Sequence, residues 1–168
     1  DPNYILVGCD GGLYESFDNT KNWKFIDNLP LTQFYKIAVD DSKPFYYVYG
    51  GTQDNNTQGA PSRTDNIHGI RNSDWFILLG GDGHQPATEP NNPNIVYVQW
   101  QRGNLNRHDR ITGENTNIKP QPEIDEKSER FNWDSPILVS PHNSKRLYFA
   151  SQRVWKSEDR GDSWNPIS

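Results

Sequence analysis

The feature that most constrains this chain is that it repeats. Four segments share one form: DPNYILVG from Asp1, KPFYYVYG from Lys43, NPNIVYVQ from Asn92 and NSKRLYFA from Asn143. Each is a polar turn leading into a run of β-branched and aromatic residues. The turn positions Pro2, Pro44, Pro93 and Ser144 lie 42, 49 and 51 residues apart. A period of this length marks units that cannot bury their apolar faces alone and must stack on neighbours. Short strand-like segments flank the copies. FYKIAVD, HQPATEP and PILVSP stand before the last three; GLYESF, WKFID, WFILLG, NLNRHD, TNIKP, VWKSE and SWNPI follow them. Each unit therefore reads as four short strands joined by Gly, Asn, Asp and Pro turns. No segment keeps a helical period, and a sandwich gives no reason for the repeat. The expected fold class is all-β: a partial β-propeller of about four four-stranded antiparallel blades.

The blades are expected at 1–30, 31–80, 81–125 and 126–168, within one partial propeller over 1–168. The second carries an insertion at 57–75, TQGAPSRTDNIHGIRNSDW, in which Arg63, His68 and Arg71 either reach over the mouth or are simply solvated. The first blade starts at its second strand, so fifteen strands are expected. Propellers close with about 4–8 blades, so this is read as about half of a seven- or eight-bladed ring. Its end blades would expose apolar faces that call for the remaining blades of a longer parent or another copy of the chain. The sequence has no methionine and opens on Asp1-Pro2-Asn3, which reads as a loop before a strand. The expectation is a piece of something longer.

Two stretches 141 residues apart share a finer pattern: SFDNTKNW from Ser16 and SEDRGDSW from Ser157. Both read Ser-x-Asp-x-x-x-x-Trp and fall between the third and fourth strands of a unit. Ser157, Asp159, Gly161, Ser163 and Trp164 resemble a complete Asp-box. Ser16, Asp18 and Trp23 resemble one in which Thr20 replaces the usual Gly and Asn22 the usual Ser or Thr. A worn copy, NRHDRITGEN, stands in the third unit. The wording as a whole, with GGLYESFD, GTQDN, GGDGH and SPHNS…VWKSEDRGDSW, resembles BNR/Asp-box propeller repeat proteins of the sortilin-like type, including bacterial proteins of the "glycosyl hydrolase" BNR-repeat type. The box is expected to be structural. Its Asp accepts backbone N–H groups of its own turn, its Gly takes positive φ, and its Trp anchors the hairpin.

In an antiparallel meander the 2–3 turns and the 4–1 links gather on the face opposite the boxes. The 2–3 turns are CDGG, GTQDNN, WQRGN and SQR; two of the links are GGDGH and FNWDSP. These place Asp10, Gln53, Asp54, Asn55, Asp82, His84, Trp100, Gln101, Arg102, Trp133, Asp134, Gln152 and Arg153 around the expected channel mouth. Carboxylates, amides, an imidazole, guanidiniums and aromatic platforms suit a peptide or glycan ligand. The competing reading is that polar residues simply collect in turns.

The resemblance implies a non-catalytic module for protein or glycan binding, a fragment of a larger exported protein that is extracellular, cell-surface or periplasmic. It also implies a rival, a fragment of a propeller glycoside hydrolase acting on β-glucan or xyloglucan. There CDGGLYES resembles the turn that carries one catalytic aspartate, making Asp10 the sole catalytic candidate. That family's second carboxylate sits in another propeller domain. A sialidase needs an arginine cluster and a tyrosine nucleophile, and only Arg102 and Arg153 are suggestively placed. A third reading is a scaffold in a larger secreted assembly. No cofactor is expected. His68, His84, His108 and His142 lack zinc spacing, and Asp10, Asp54 and Asp82 match no calcium loop. Asn55-Asn56-Thr57 fits a glycosylation acceptor. The net charge of −5 with mixed signs offers no footprint for nucleic acid, and no apolar run approaches a membrane span. The single Cys9 excludes an internal disulfide and, within an apolar run, is expected to be buried.

Overall fold

The computed structural model describes residues 1–29 and 31–168. The chain divides into two units, 1–32 and 33–168; the expected blade boundary at residue 30 lies outside the described residues. Among the described residues there are fifteen strands, all paired antiparallel in four sheets. One 3₁₀ turn, Asn72–Asp74, interrupts them, and among the described residues no helix is long and apolar enough to cross a membrane.

The first unit is a three-stranded sheet of β1 (Ile5–Cys9), β2 (Gly12–Ser16) and β3 (Lys24–Ile26) in sequence order. Gly12 closes the β1–β2 turn at φ 122°, a conformation L side chains rarely reach. The thiol of Cys9, expected in the core, is exposed. The reason is local: β1 is an edge strand pairing only with β2, and four of its five residues are exposed.

The second unit holds three four-stranded sheets. The first is β4 (Lys36–Val39), β5 (Tyr47–Gly51), β6 (Thr57–Pro61) and β7 (Phe76–Leu79). The next is β8 (Ala87–Glu89), β9 (Asn92–Trp100), β10 (Asn104–Asp109) and β11 (Asn115–Asn117). The last is β12 (Ile137–Val139), β13 (Leu147–Ala150), β14 (Val154–Ser157) and β15 (Asn165–Pro166). Strand β6 takes the first five residues of the stretch expected as an insertion, so the extra connection begins at residue 62. Within this unit β8 lies beside both β4 and β12. First strands side by side are how blades turn about a common axis.

Period-two alternation explains the packing. In β9, Val96 and Val98 pack with Tyr49 and Leu78 on one side, while Tyr97 packs with Leu105, Ile137, Leu147 and Phe149 on the other. All of β9's Val96-Tyr97-Val98 is inaccessible, as in a strand covered on both faces. Each such large side chain contributes about 1.5–3 kcal/mol of burial. The two flanking sheets leave Ile37, Val39 and Leu138 between 51 and 63 % exposed.

The seams carry a repeated polar clamp. At the end of β4 the buried Asp40 accepts the Tyr49 hydroxyl at 2.7 Å, the Tyr47 amide at 2.7 Å and Arg110 Nη1 of the next sheet at 3.0 Å. At the end of β8 Glu89 accepts the Tyr97 hydroxyl at 3.3 Å and both Nε and Nη2 of Arg160, at 2.7 Å each. Each arginine directly follows the box aspartate of its own turn, Asp109 or Asp159. In the last sheet the matching positions are Tyr148 and Ser140, and the carboxylate is gone. Burial pushes the Tyr49 and Tyr97 hydroxyls far above the ordinary phenol range.

The Asp-boxes are closed by their own hydrogen bonds. Asp159 accepts the Ser163 amide at 2.9 Å and its hydroxyl at 2.6 Å, and Ser157 Oγ accepts the Gly161 amide at 2.8 Å. Asp18 accepts the Asn22 amide at 2.9 Å and side chain at 2.6 Å, and Ser16 Oγ accepts the Thr20 amide at 3.0 Å. Thr20 takes φ 72° where Gly161 takes 90°, so the same turn forms with a costlier residue. The Ser163 hydroxyl holds the Asp159 carboxyl below its ordinary range, and the Asn22 side chain does the same for Asp18. Trp164 donates to the Ile118 carbonyl at 2.7 Å and packs near Phe149; Trp23 is 45 % exposed.

Candidate functional site

The links that precede the first strands of the second unit meet at one end of its sheets. Gly51 allows this approach: a Cβ there would run into the backbone of Gly83 and His84. The Gly83 amide donates to the Thr52 carbonyl at 2.9 Å, and the His84 amide donates to the Gln99 carbonyl at 3.3 Å. Gln99, inaccessible at the end of β9, donates from Nε2 to the Ser135 carbonyl at 2.6 Å. One side chain thus ties together strand, link and the following sheet.

His84 sits at the centre. Its side chain is fully buried, stacked on Tyr35 at 5.5 Å and 7°, with Trp133 edge-on at 6.2 Å. Its Nδ1 stands 3.9 Å from Asp134 Oδ1, and Asp134 Oδ2 is paired with Lys36 at 3.1 Å. The Tyr35 hydroxyl donates to Gln53. Desolvation lowers the His84 pKa, outweighing Asp134 and Asp82, which raise it; Lys36 lowers it further. The ring is therefore neutral at pH 7.

Around this core the turn residues lock one another. Asp82 Oδ1 accepts the Asp54 amide at 2.8 Å, the Asp82 amide donates to Gln101 Oε1 at 3.3 Å, and the Arg102 amide donates to the Trp133 carbonyl at 3.2 Å. Asn55 Nδ2 donates to the Gln53 carbonyl at 3.2 Å. Trp100 flanks Gly81 and, like Trp133, keeps more than two fifths of its surface exposed. Gln53, Asp54, Asn55, Asp82, His84, Trp100, Gln101, Arg102, Trp133 and Asp134 thus form one connected surface.

Gln152 and Arg153 belong to a neighbouring cluster. Gln152 Oε1 accepts the Arg130 amide at 2.6 Å. Arg153 pairs with Glu126 at 2.9 Å and with the buried Glu129 at 2.7 Å, and lies over Trp155. Asp10 lies in the β1–β2 turn of the first unit, exposed. Two central residues, Tyr35 and Lys36, were missed by the sequence reading. They close the link into the second repeat, inside the strand-like segment FYKIAVD. Among the described residues no cluster of three His, Cys, Asp or Glu is arranged to hold a metal.

Buried side-chain atoms without any hydrogen bond in the chain mark this end of the sheets. Among the described residues they are Thr57 Oγ1, both ring nitrogens of His84, Gln99 Oε1 and Asp134 Oδ1. Each such atom costs about 1–3 kcal/mol if nothing satisfies it. All belong to residues of the 2–3 turns and links or to strand ends beside them.

Comparison with known proteins gives a fold and no closer kinship. No family model matches the chain, and no curated protein matches it. Among solved structures it is similar to GH74 xyloglucanases of Xanthomonas campestris (TM-score 0.52, 16 % identity) and Niastella koreensis (TM-score 0.53, 16 % identity). Those matches cover 100 % and 99 % of this chain and 28 % of each enzyme. It is also similar to AztD of Citrobacter koseri, at TM-score 0.51 and 14 % identity, covering 99 % of this chain and 45 % of that one. The chain thus spans less than half the length of these proteins. At such identities the likeness establishes an all-β partial propeller.

Proposed function

We propose that this chain is a non-catalytic, sortilin-like binding module from an exported propeller protein, and that it holds a glycan at the link-and-turn face centred on His84. The observation that carries this is the set of buried, unpartnered polar atoms around His84, Gln99 and Asp134 behind the exposed indole of Trp133. Sugars present C–H faces that stack on exposed indole rings such as Trp133, and hydroxyls that exchange donors and acceptors with the exposed Gln53, Asn55 and Arg102 of the same turns. Asp82 and Asp134 are already committed, to the Asp54 amide and to Lys36. This favours recognition over acid–base chemistry. The exposed Ile37, Val39 and Leu138 support covering of the outer sheet faces by remaining blades of a parent protein or by another copy of the chain.

The test is calorimetric titration of the chain with xyloglucan and cello-oligosaccharides, with extended peptides alongside. Binding of an oligosaccharide, weakened about tenfold in Trp133→Ala, is the expected result. Binding of peptides alone would move the reading to protein recognition; binding of neither would end it. The hydrolase reading rests on Asp10, exposed in its hairpin turn within a fold shared with xyloglucanases. Release of reducing ends, abolished by Asp10→Asn, would replace the binding reading with that one.

A further inference from the structure

A second feature lies far from this face. Tyr47 begins β5, four residues from Gly51, so it sits roughly 13 Å along the strand from the link end. There, in the seam between the second unit's first two sheets, a cavity of about 290 Å³ is lined by Tyr47, Phe76, His108 and Arg110.

The two seams of this unit are built on one clamp, yet they differ at two register positions. In the seam closed by Glu89 and Arg160, Ile95 stands where Tyr47 stands. Arg107, paired with Tyr97, stands where Gly59 pairs with Tyr49. Arg107 fills that seam, donating to the Arg160 carbonyl and to Asp162 at 2.9 Å each. Gly59 sends no side chain into the other seam, and the Tyr49 and Phe76 rings pack where one would stand: a Cβ there would lie 2.8 Å from the Tyr49 ring and 2.9 Å from Phe76. The arginines follow suit. Arg160 meets its carboxylate edge-on with two nitrogens. Arg110 reaches Asp40 with Nη1 alone, which also donates to the Pro93 carbonyl at 3.3 Å; its Cζ stands over Tyr47, 3.8 Å from the ring centre, 5.5 Å from that of Phe76 and 5.8 Å from that of Tyr49.

The charge of Arg110 is neutralised by Asp40, which also accepts Ser42 Oγ at 2.9 Å. The seam therefore offers a charge-paired guanidinium among aromatic rings rather than a free anion site. His108 adds a directional group. Asn115 Nδ2 donates to the Leu78 carbonyl at 2.7 Å, so its Oδ1 is the acceptor toward His108 Nδ1 at 3.0 Å. In the neutral ring Nδ1 then carries the proton, and Nε2 is the acceptor that Asn115 does not use.

We propose that this seam is a second ligand site, independent of the link face, taking a flat aromatic ring that carries one N–H or O–H donor. The ring stacks on the face of Arg110 turned away from Tyr47 and meets the edge of Phe76; the donor bonds His108 Nε2. Guanidinium stacked on an aromatic ring is a favourable pairing. Such a ring comes either as a free heterocycle or as an exposed tryptophan side chain.

The experiment is ligand-observed NMR titration of the full chain with indole, 1-methylindole and N-acetyltryptophanamide. Indole is expected to bind about tenfold more tightly than 1-methylindole, the difference made by one hydrogen bond. His108→Phe is expected to abolish that difference. Trp133→Ala is expected to leave it intact, which separates this site from the link face. Tighter binding of N-acetyltryptophanamide than of indole assigns the site to a partner's side chain; the reverse assigns it to a free heterocycle. Equal affinity for indole and 1-methylindole on the unmodified chain, or no binding of either, overturns the proposal whether or not the variant folds.

Discussion

Removing Arg160 tests the clamp most sharply. The Glu89 side chain is 1 % exposed, and Arg160 meets it through two bonds of 2.7 Å. Arg160→Met keeps most of the stem that covers the seam and deletes only the guanidinium. Glu89 is then left with the Tyr97 hydroxyl at 3.3 Å and Asn92 Nδ2 at 3.2 Å. Breaking a buried ion pair from one side costs about 3–5 kcal/mol, because the remaining charge is neither paired nor solvated. Arg160 is itself one third exposed, so water can reach the gap and the lower end, about 3 kcal/mol, is expected. Adding Glu89→Gln to Arg160→Met removes the stranded charge and keeps the side-chain volume. The double variant should therefore recover to within about 1 kcal/mol of the parent, a neutral polar pair contributing little net. The assay is urea unfolding followed by tryptophan fluorescence, with the slope checked for constancy. A single variant that loses less than about 1 kcal/mol, or a double variant no more stable than the single, would refute the reasoning.

Two further outcomes are expected. Gly161→Ala should destabilise the second unit by about 1–3 kcal/mol in the same urea assay, since Gly161 has φ 90° and a Cβ there would lie 2.6 Å from Ile118 Cδ1. The pKa of His84 is lowered from its ordinary 6.5 by burial. Its contribution is therefore fully present above pH 6.5 and is lost as pH falls through the lower folded value. Urea midpoints should decline below pH 6.5, and His84→Phe should remove that part of the slope. An unchanged slope in the variant would show that other groups cause it.

How much of this was legible depended on whether the determining contacts were local. The repeat and the boxes were, because alternation, turn residues and the Asp159–Ser163 bonds lie within a few residues. Strand β6 was not. Thr57–Pro61 contains Gly59 and Pro61 and has no apolar pattern; its inaccessible Thr57 and Ala60 owe their burial to pairing with β5 and β7. Cys9 sat in a convincing apolar run, but its strand is an edge. Of the site, turn residues were found by position alone. Tyr35 and Lys36 act through His84 and Asp134, 49 and 98 residues further on, and no local signal announces such contacts.

The two ends of these sheets treat polar atoms in opposite ways. At the box end the buried carboxylates are saturated: Asp40 accepts from Tyr47, Tyr49, Ser42 and Arg110, and Glu89 from Tyr97, Asn92 and Arg160. At the link end, the width of the same sheets away, His84 and Asp134 face each other unbonded at 3.9 Å. Identical strands run between these ends, so strand chemistry does not explain the contrast. Local rules tend to be broken where a protein meets something else. The Asp-box aspartates belong to the end whose buried carboxylates are filled, and the proposed glycan face lies at the other.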